Sequence, residues 1–144
     1  MLSILENIYY GAELHNIIKI YDVVACTAPL TEKTYQILNY NFFNRMKKGS
    51  IFINVSRGKI VKTEDLIKNN IYKKFRGIGL DVTDPEPLDK KNKLNLAHNV
   101  FITPHVAGPS DNNRERGYNL IKINIERYIK NKSLVNVVDK LKEY

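Results

Sequence analysis

There is no tryptophan in this 144-residue chain, and Cys26 is its one cysteine. With a single thiol, no disulfide can form within the chain. That excludes a cross-linked secreted scaffold and suits a reducing, cytoplasmic setting. Cys26 lies in an apolar run and reads as a small buried hydrophobe. No apolar run approaches the roughly 18–20 residues of a membrane span. The opening segment, Met1-Leu2-Ser3-Ile4-Leu5-Glu6-Asn7, has no basic region and carries an early acid, so a signal peptide is not expected. The net charge of +8 is not gathered into a block; the lysines stand as singles and pairs. A basic strand interleaved with aromatics, the mark of an RNA-binding surface, is missing. Neither membrane nor nucleic acid is therefore an expected partner. Repeats and low-complexity linkers are also missing.

What remains is an ordinary globular balance, 43% apolar and 26% charged. The length fits one domain, with no boundary expected inside it. A chain of this size buries roughly 68–70% of its unfolded surface, so a real core is possible. Leu2, Leu5, Ile8 and Tyr9 have helical spacing, as do Leu14, Ile17 and Ile18, with a break near Gly11. Continuous apolar runs at 21–27, 50–55, 76–82 and 100–103 read as buried strands. The first ends at Pro29 and the last at Pro104. Between them, 35–38 and Phe42–Met46 read as short helices, Asn41 as a cap, and Thr63 as the N-cap of a helix reaching Asn69 or Asn70. Glu64 and Asp65 in that first turn suit the helix dipole. The longest helix spans about 112–130, with an apolar face that includes Leu120, Ile121, Ile125 and Tyr128, and an extended tail follows. Strands alternating with helices predict an α/β fold with a parallel sheet.

Three of the strands end in polar signatures. The second leads into Asn54-Val55-Ser56-Arg57-Gly58, the third into Asp81-Val82-Thr83-Asp84-Pro85-Glu86-Pro87, and the fourth into Thr103-Pro104-His105. In open α/β sheets, ligands bind beyond the carboxyl ends of the strands. Arg57, Glu86 and His105 are thereby expected at one edge. Histidine exchanges protons near neutrality. Arginine's planar fork suits a carboxylate, or else caps a helix or lies on the surface. Glu86 is either a loop acid in solvent or a carboxylate that pairs with His105 and fixes its charge and tautomer. His15 and His98 lack such a setting and read as structural.

Together these motifs resemble the D-isomer-specific 2-hydroxyacid dehydrogenase family, whose Asn-x-x-Arg-Gly, Asp-Val-x-x-x-Glu-Pro and Thr-Pro-His patterns they match in order and spacing. Asp22-Val23-Val24, Pro29-Leu30-Thr31, Met46–Ser50 and the closing Asn136-Val137-Val138-Asp139 are also similar, so the likeness covers about residues 13–140. It implies a partial Rossmann-type doubly wound parallel sheet, the second half of an NAD-binding domain, ending in a long C-terminal helix and tail. It implies a 2-oxo or 2-hydroxy acid substrate, with His105 as acid/base, Glu86 as its partner and Arg57 as the carboxylate ligand. The cofactor implied is NAD or NADP, with NAD preferred, and no metal. Thr27, Ala28, Pro29, Val55, Ser56, Arg57, Asp81, His105 and Gly108 would line it.

The sequence departs from the family in one respect. Its glycines, at 11, 49, 58, 77, 79, 108 and 117, form no Gly-x-Gly-x-x-Gly turn for the pyrophosphate. The expectation is a single incomplete domain over 1–144, lacking that half and most of a substrate domain, and not active alone. It would pair as a homodimer or with a missing N-terminal half. The alternative is a non-catalytic remnant serving as a dimerisation or binding module.

Overall fold

The computed structural model describes residues 13–141. The helical spacing of Leu2 to Tyr9 and the break at Gly11 lie outside them. The chain divides after His105 into two compact units. The expectation of one domain over 1–144 placed no boundary there, and nothing in the composition marks it.

The first unit is built on four strands: β1 (Val23–Cys26), β2 (Ile51–Asn54), β3 (Gly77–Leu80) and β4 (Val100–Ile102). They pair in parallel in the order β1-β2-β3-β4. Among the described residues, three α-helices lie in the same unit: α1 (Leu14–Ile17), α2 (Tyr40–Arg45) and α3 (Thr63–Ile67). This is the parallel α/β sheet that the alternation of strand and helix predicts.

The register fixes which side chains share a face. Val24, Phe52, Ile78 and Val100 form one row, and Cys26, Asn54, Leu80 and Ile102 the next on the same face. Phe42, Phe43, Phe52, Leu66, Phe75, Ile78 and Leu80 build the core. Phe43 is at its centre, edge-on to Phe42, Phe52 and Phe75. The opposite face corrects the reading of the first strand as buried on both sides. Val23 and Ala25 are exposed there, as is Phe101.

Four local expectations are also corrected. The stretch 35–38 is a turn, with Leu38 bridging Val61, and not a helix. The cap of α2 is Asn39 instead of Asn41; its side chain accepts from the N–H of Phe42. Lys62, not Thr63, precedes α3. That helix stops at Ile67, because Asn69 and Asn70 take left-handed backbone angles within a following 3-10 segment, 68–74. Asparagine tolerates that conformation better than most residues.

The second unit contains α4 (Asn113–Ile129) and a tail. Asn124 anchors the tail to the helix, with its Nδ2 donating to the Val135 carbonyl and its Oδ1 accepting from the Val135 N–H. The expected apolar face of α4 is present but uncovered: Ile121, Ile125, Tyr128 and Ile129 are exposed.

Candidate active site

The ends of the strands align. Cys26, Asn54, Leu80 and Ile102 are register partners across the sheet, so Thr27, Val55, Asp81 and Thr103 follow them along one edge. The ladder continues one step further, since the N–H groups of Val55, Asp81 and Thr103 donate to Cys26, Asn54 and Leu80.

At β3 and β4 this adjacency builds a site. Thr103 Oγ1 donates to Asp81 Oδ1 at 2.6 Å, and Asp81 is buried. The His105 N–H donates to the Asp81 carbonyl at 2.9 Å. That contact helps hold His105 at φ +56, a left-handed position that costs a non-glycine residue about 1–3 kcal/mol. The backbone is thus bent to deliver the ring. Its Nδ1 stands 2.8 Å from Glu86 Oε1. A carboxylate only accepts, so Nδ1 carries the proton and Nε2 is left for proton exchange with a ligand. The other oxygen, Oε2, accepts from the N–H of Thr83 at 3.4 Å. A cavity of about 190 Å³ opens here, lined among others by Asp81, Thr83, Glu86, Asn95, Thr103 and His105.

Glu86 and His105 are 41% and 47% exposed. Solvent-screened pairs contribute only ~0–1 kcal/mol, so this one orients more than it stabilises. Glu86→Ala is expected to leave the thermal midpoint nearly unchanged while releasing the His105 tautomer. A midpoint drop typical of a core mutation would contradict this.

Arg57 occupies the neighbouring strand end. Its side chain is exposed, its Nη1 donates to the Ser56 carbonyl at 2.8 Å, and it is not among the cavity's lining residues. Its turn is held by Asn54, which is fully buried. Asn54 Nδ2 donates to the Arg57 carbonyl at 3.1 Å, and its Oδ1 accepts from Ser56 N–H and Oγ. Asn54→Leu would strand these groups, at about 1–3 kcal/mol for each left buried and unpaired. Urea denaturation is expected to show that loss, and an unchanged midpoint would refute it.

The other expected cofactor residues fall in two places. Thr27, Ala28 and Pro29 are exposed beyond β1, next to Val55 and the buried Ser56 beyond β2; Ser56 Oγ is 3.3 Å from Cys26 Sγ. Gly108 belongs to the second unit, where its carbonyl accepts from Asn113 Nδ2. This edge of small uncharged residues with a buried carboxylate fits the amide and hydroxyl groups at the nicotinamide end of a dinucleotide. The chain has no glycine-rich turn to fit the pyrophosphate.

Asn54 and Thr103 carry no role of their own in the sequence motifs, and Thr63 reads there only as a helix cap. Asn54 was readable, because asparagine commonly bonds a backbone N–H two residues on. Thr103 bonds Asp81, and Thr63 bonds the Asp84 carbonyl at 2.7 Å. The first joins two strand ends and the second joins a helix start to the loop after β3, so neither leaves a mark in local sequence.

A family model for the NAD binding domain of D-isomer specific 2-hydroxyacid dehydrogenases matches residues 4–107. The hydroxypyruvate reductase of Blautia hydrogenotrophica is 36% identical over 135 residues, covering 94% of this chain and 41% of its own length. The glyoxylate reductase of Thermofilum pendens is 32% identical over 128 residues, covering 89% and 38%. Among solved structures, a D-isomer specific 2-hydroxyacid dehydrogenase from Xanthobacter autotrophicus Py2, in complex with NADPH and MES, superposes with a TM-score of 0.84 at 29% identity. That match covers 94% of this chain and 56% of that one. The chain therefore spans less than half the length of these two curated relatives. That they are reductases does not favour the non-catalytic alternative.

Proposed function

The chain belongs to the D-isomer specific 2-hydroxyacid dehydrogenase family, within its NAD binding domain, and on that premise we propose that its strand ends form the proton-transfer half of a 2-hydroxyacid dehydrogenase site. The observation that carries this reading is the 2.8 Å contact of His105 Nδ1 with Glu86 Oε1 at the mouth of a small cavity. At about 190 Å³ the cavity is smaller than the roughly 300–1,000 Å³ of pockets for drug-sized ligands. That suits a short 2-oxo or 2-hydroxy acid.

When bound, a nicotinamide cofactor supplies the hydride, which no side chain can provide. The rest of the chemistry falls to this chain. Thr27, Ala28, Pro29, Val55, Ser56 and Asp81 would hold the nicotinamide end of NAD or NADP. Arg57 would grip the substrate carboxylate through its fork of N–H donors. His105 Nε2 would give a proton to the 2-oxo oxygen in reduction and take it back in oxidation. Glu86 would hold Nδ1–H and stabilise the imidazolium that arises when the alcohol is oxidised.

The grip on the pyrophosphate would come from a segment outside these 144 residues, so this chain alone would not turn over. The open sheet face and the exposed apolar residues of α4 support association, with a second copy or with a segment that carries that turn. Sedimentation velocity separates these from a monomer. The single cysteine supports a cytoplasmic setting.

The test is titration of the chain with NADH and with NADPH, followed by nucleotide fluorescence, then assays with glyoxylate, hydroxypyruvate and pyruvate. Binding without turnover is the expected result. A failure of both nucleotides to bind at millimolar concentration would remove the cofactor-binding part of the proposal.

A further inference from the structure

The loop that carries Glu86 follows β3 but is fastened to the segment after β2, where α3 begins. Thr63 is buried in the first turn of α3, and its hydroxyl donates to the Asp84 carbonyl at 2.7 Å. One residue on either side, the same loop is closed from within. Thr83 Oγ1 donates to the Pro85 carbonyl at 2.8 Å, and the Thr83 N–H donates to Glu86 Oε2. Gly58 packs so closely that a Cβ there would lie 1.9 Å from the Thr83 carbonyl oxygen. The segment after β2 therefore meets the Glu86 loop at two points, one steric at Gly58 and one hydrogen-bonded at Thr63. The loop cannot shift along β3 without breaking the second.

We propose that Thr63 is a positioning residue for the Glu86–His105 pair, acting through the Asp84 carbonyl. The inference rests on the reading of that pair as the acid/base element of the site. Thr63 touches neither partner. Its hydroxyl fixes where the Asp84–Glu86 backbone lies, and that fixes whether the carboxylate meets Nδ1. Two carboxylates, Asp81 and Glu86, line the cavity with His105. Of these, Asp81 is already engaged by Thr103, and Glu86 is the one bonded to the ring.

The test uses the 144-residue chain, labelled with ¹⁵N, and reads the imidazole tautomer from two-bond ¹H–¹⁵N correlations. Spectra are taken at about pH 9, well above the ordinary histidine value of about 6.5, so that rings are neutral. The His105 signals are those that vanish in His105→Gln. The unmutated chain is expected to show Nδ1–H at His105, and Glu86→Ala to lose it. Thr63→Val, which removes the hydroxyl at nearly constant volume, is expected to lose most of the Nδ1–H signature as well. Thr63→Ser, which restores a donor, is expected to keep it. A Thr63→Val chain with a dispersed amide spectrum and an unchanged His105 tautomer would overturn the proposal. If the valine variant does not fold, Thr63→Ala carries the same expectation and the same refutation. Loss of the signature in Thr63→Ser would also overturn it. An unchanged tautomer in Glu86→Ala would remove the pair itself, and the proposal with it. The two failures are thus told apart by which variant leaves His105 unmoved.

Discussion

His105→Gln is expected to lower kcat by about 10²–10⁴-fold, the usual contribution of a positioned acid or base, with a much smaller effect on nucleotide binding. The vehicle is a fusion of this chain to the part of the Blautia hydrogenotrophica hydroxypyruvate reductase outside the matching segment. Glutamine keeps polarity and length but does not exchange a proton near neutral pH. The effect should therefore fall on the chemical step far more than on affinity. The backbone supports that separation. His105 is placed by its own N–H bond to the Asp81 carbonyl and by the pairing of β3 with β4. None of these involves the ring, so its replacement leaves the strand ends in place. Steady-state kinetics on the fusion and its variant decide the matter. An unchanged kcat would refute the role given to His105, and an equal loss of NADH affinity would point to a binding role instead.

Gly58→Ala is expected to be the most damaging glycine-to-alanine change among the described residues of the first unit. An added Cβ would meet the Thr83 carbonyl oxygen at 1.9 Å and the Asp84 nitrogen at 2.9 Å. Both are backbone atoms, so no flexible side chain can swing aside. Overpacking of this kind costs roughly 1–3 kcal/mol, and a clash this short against backbone belongs at the upper end. Relief requires moving the Glu86 loop away from the turn after β2, which also parts Glu86 from His105. Urea denaturation of the chain and turnover of the fusion should therefore fall together. By contrast, Gly77→Ala has open space around the new methyl and should be mild. A Gly58→Ala chain as stable as the original would show that the two loops are not in contact.

The strands and their polar endings were legible because each is a short apolar run closed by proline or glycine, a pattern set by local chain chemistry. The parallel sheet followed from alternation, and the meeting of Glu86 with His105 from placing both at carboxyl ends. Competition between neighbours was not legible. Asn39 and Asn41 are of the same cap-favouring type, but the Leu38–Val61 bridge lies just before Asn39, which caps the helix, and Asn41 falls inside it. Thr63 looked like a cap, but tertiary structure claims its hydroxyl for Asp84. The left-handed Asn69 and Asn70 cut short a helix that propensity would continue. Periodicity identified the apolar face of α4, but the pattern alone cannot say whether anything covers it. Arg57 joined the trio by position after β2, whereas its guanidinium bonds the turn beside it.

The central claim is that these strand ends carry the proton half of a hydride transfer to a 2-oxo acid. Its most direct test is isotopic, with NADH and NADPH deuterated at the transferable position and hydroxypyruvate offered to the fusion. The expected product is a D-hydroxy acid with deuterium on C2, formed about 10²–10⁴-fold more slowly by the His105→Gln fusion. A fusion that folds and binds the nucleotide yet forms no labelled hydroxy acid would contradict it, as would product formed equally well without His105.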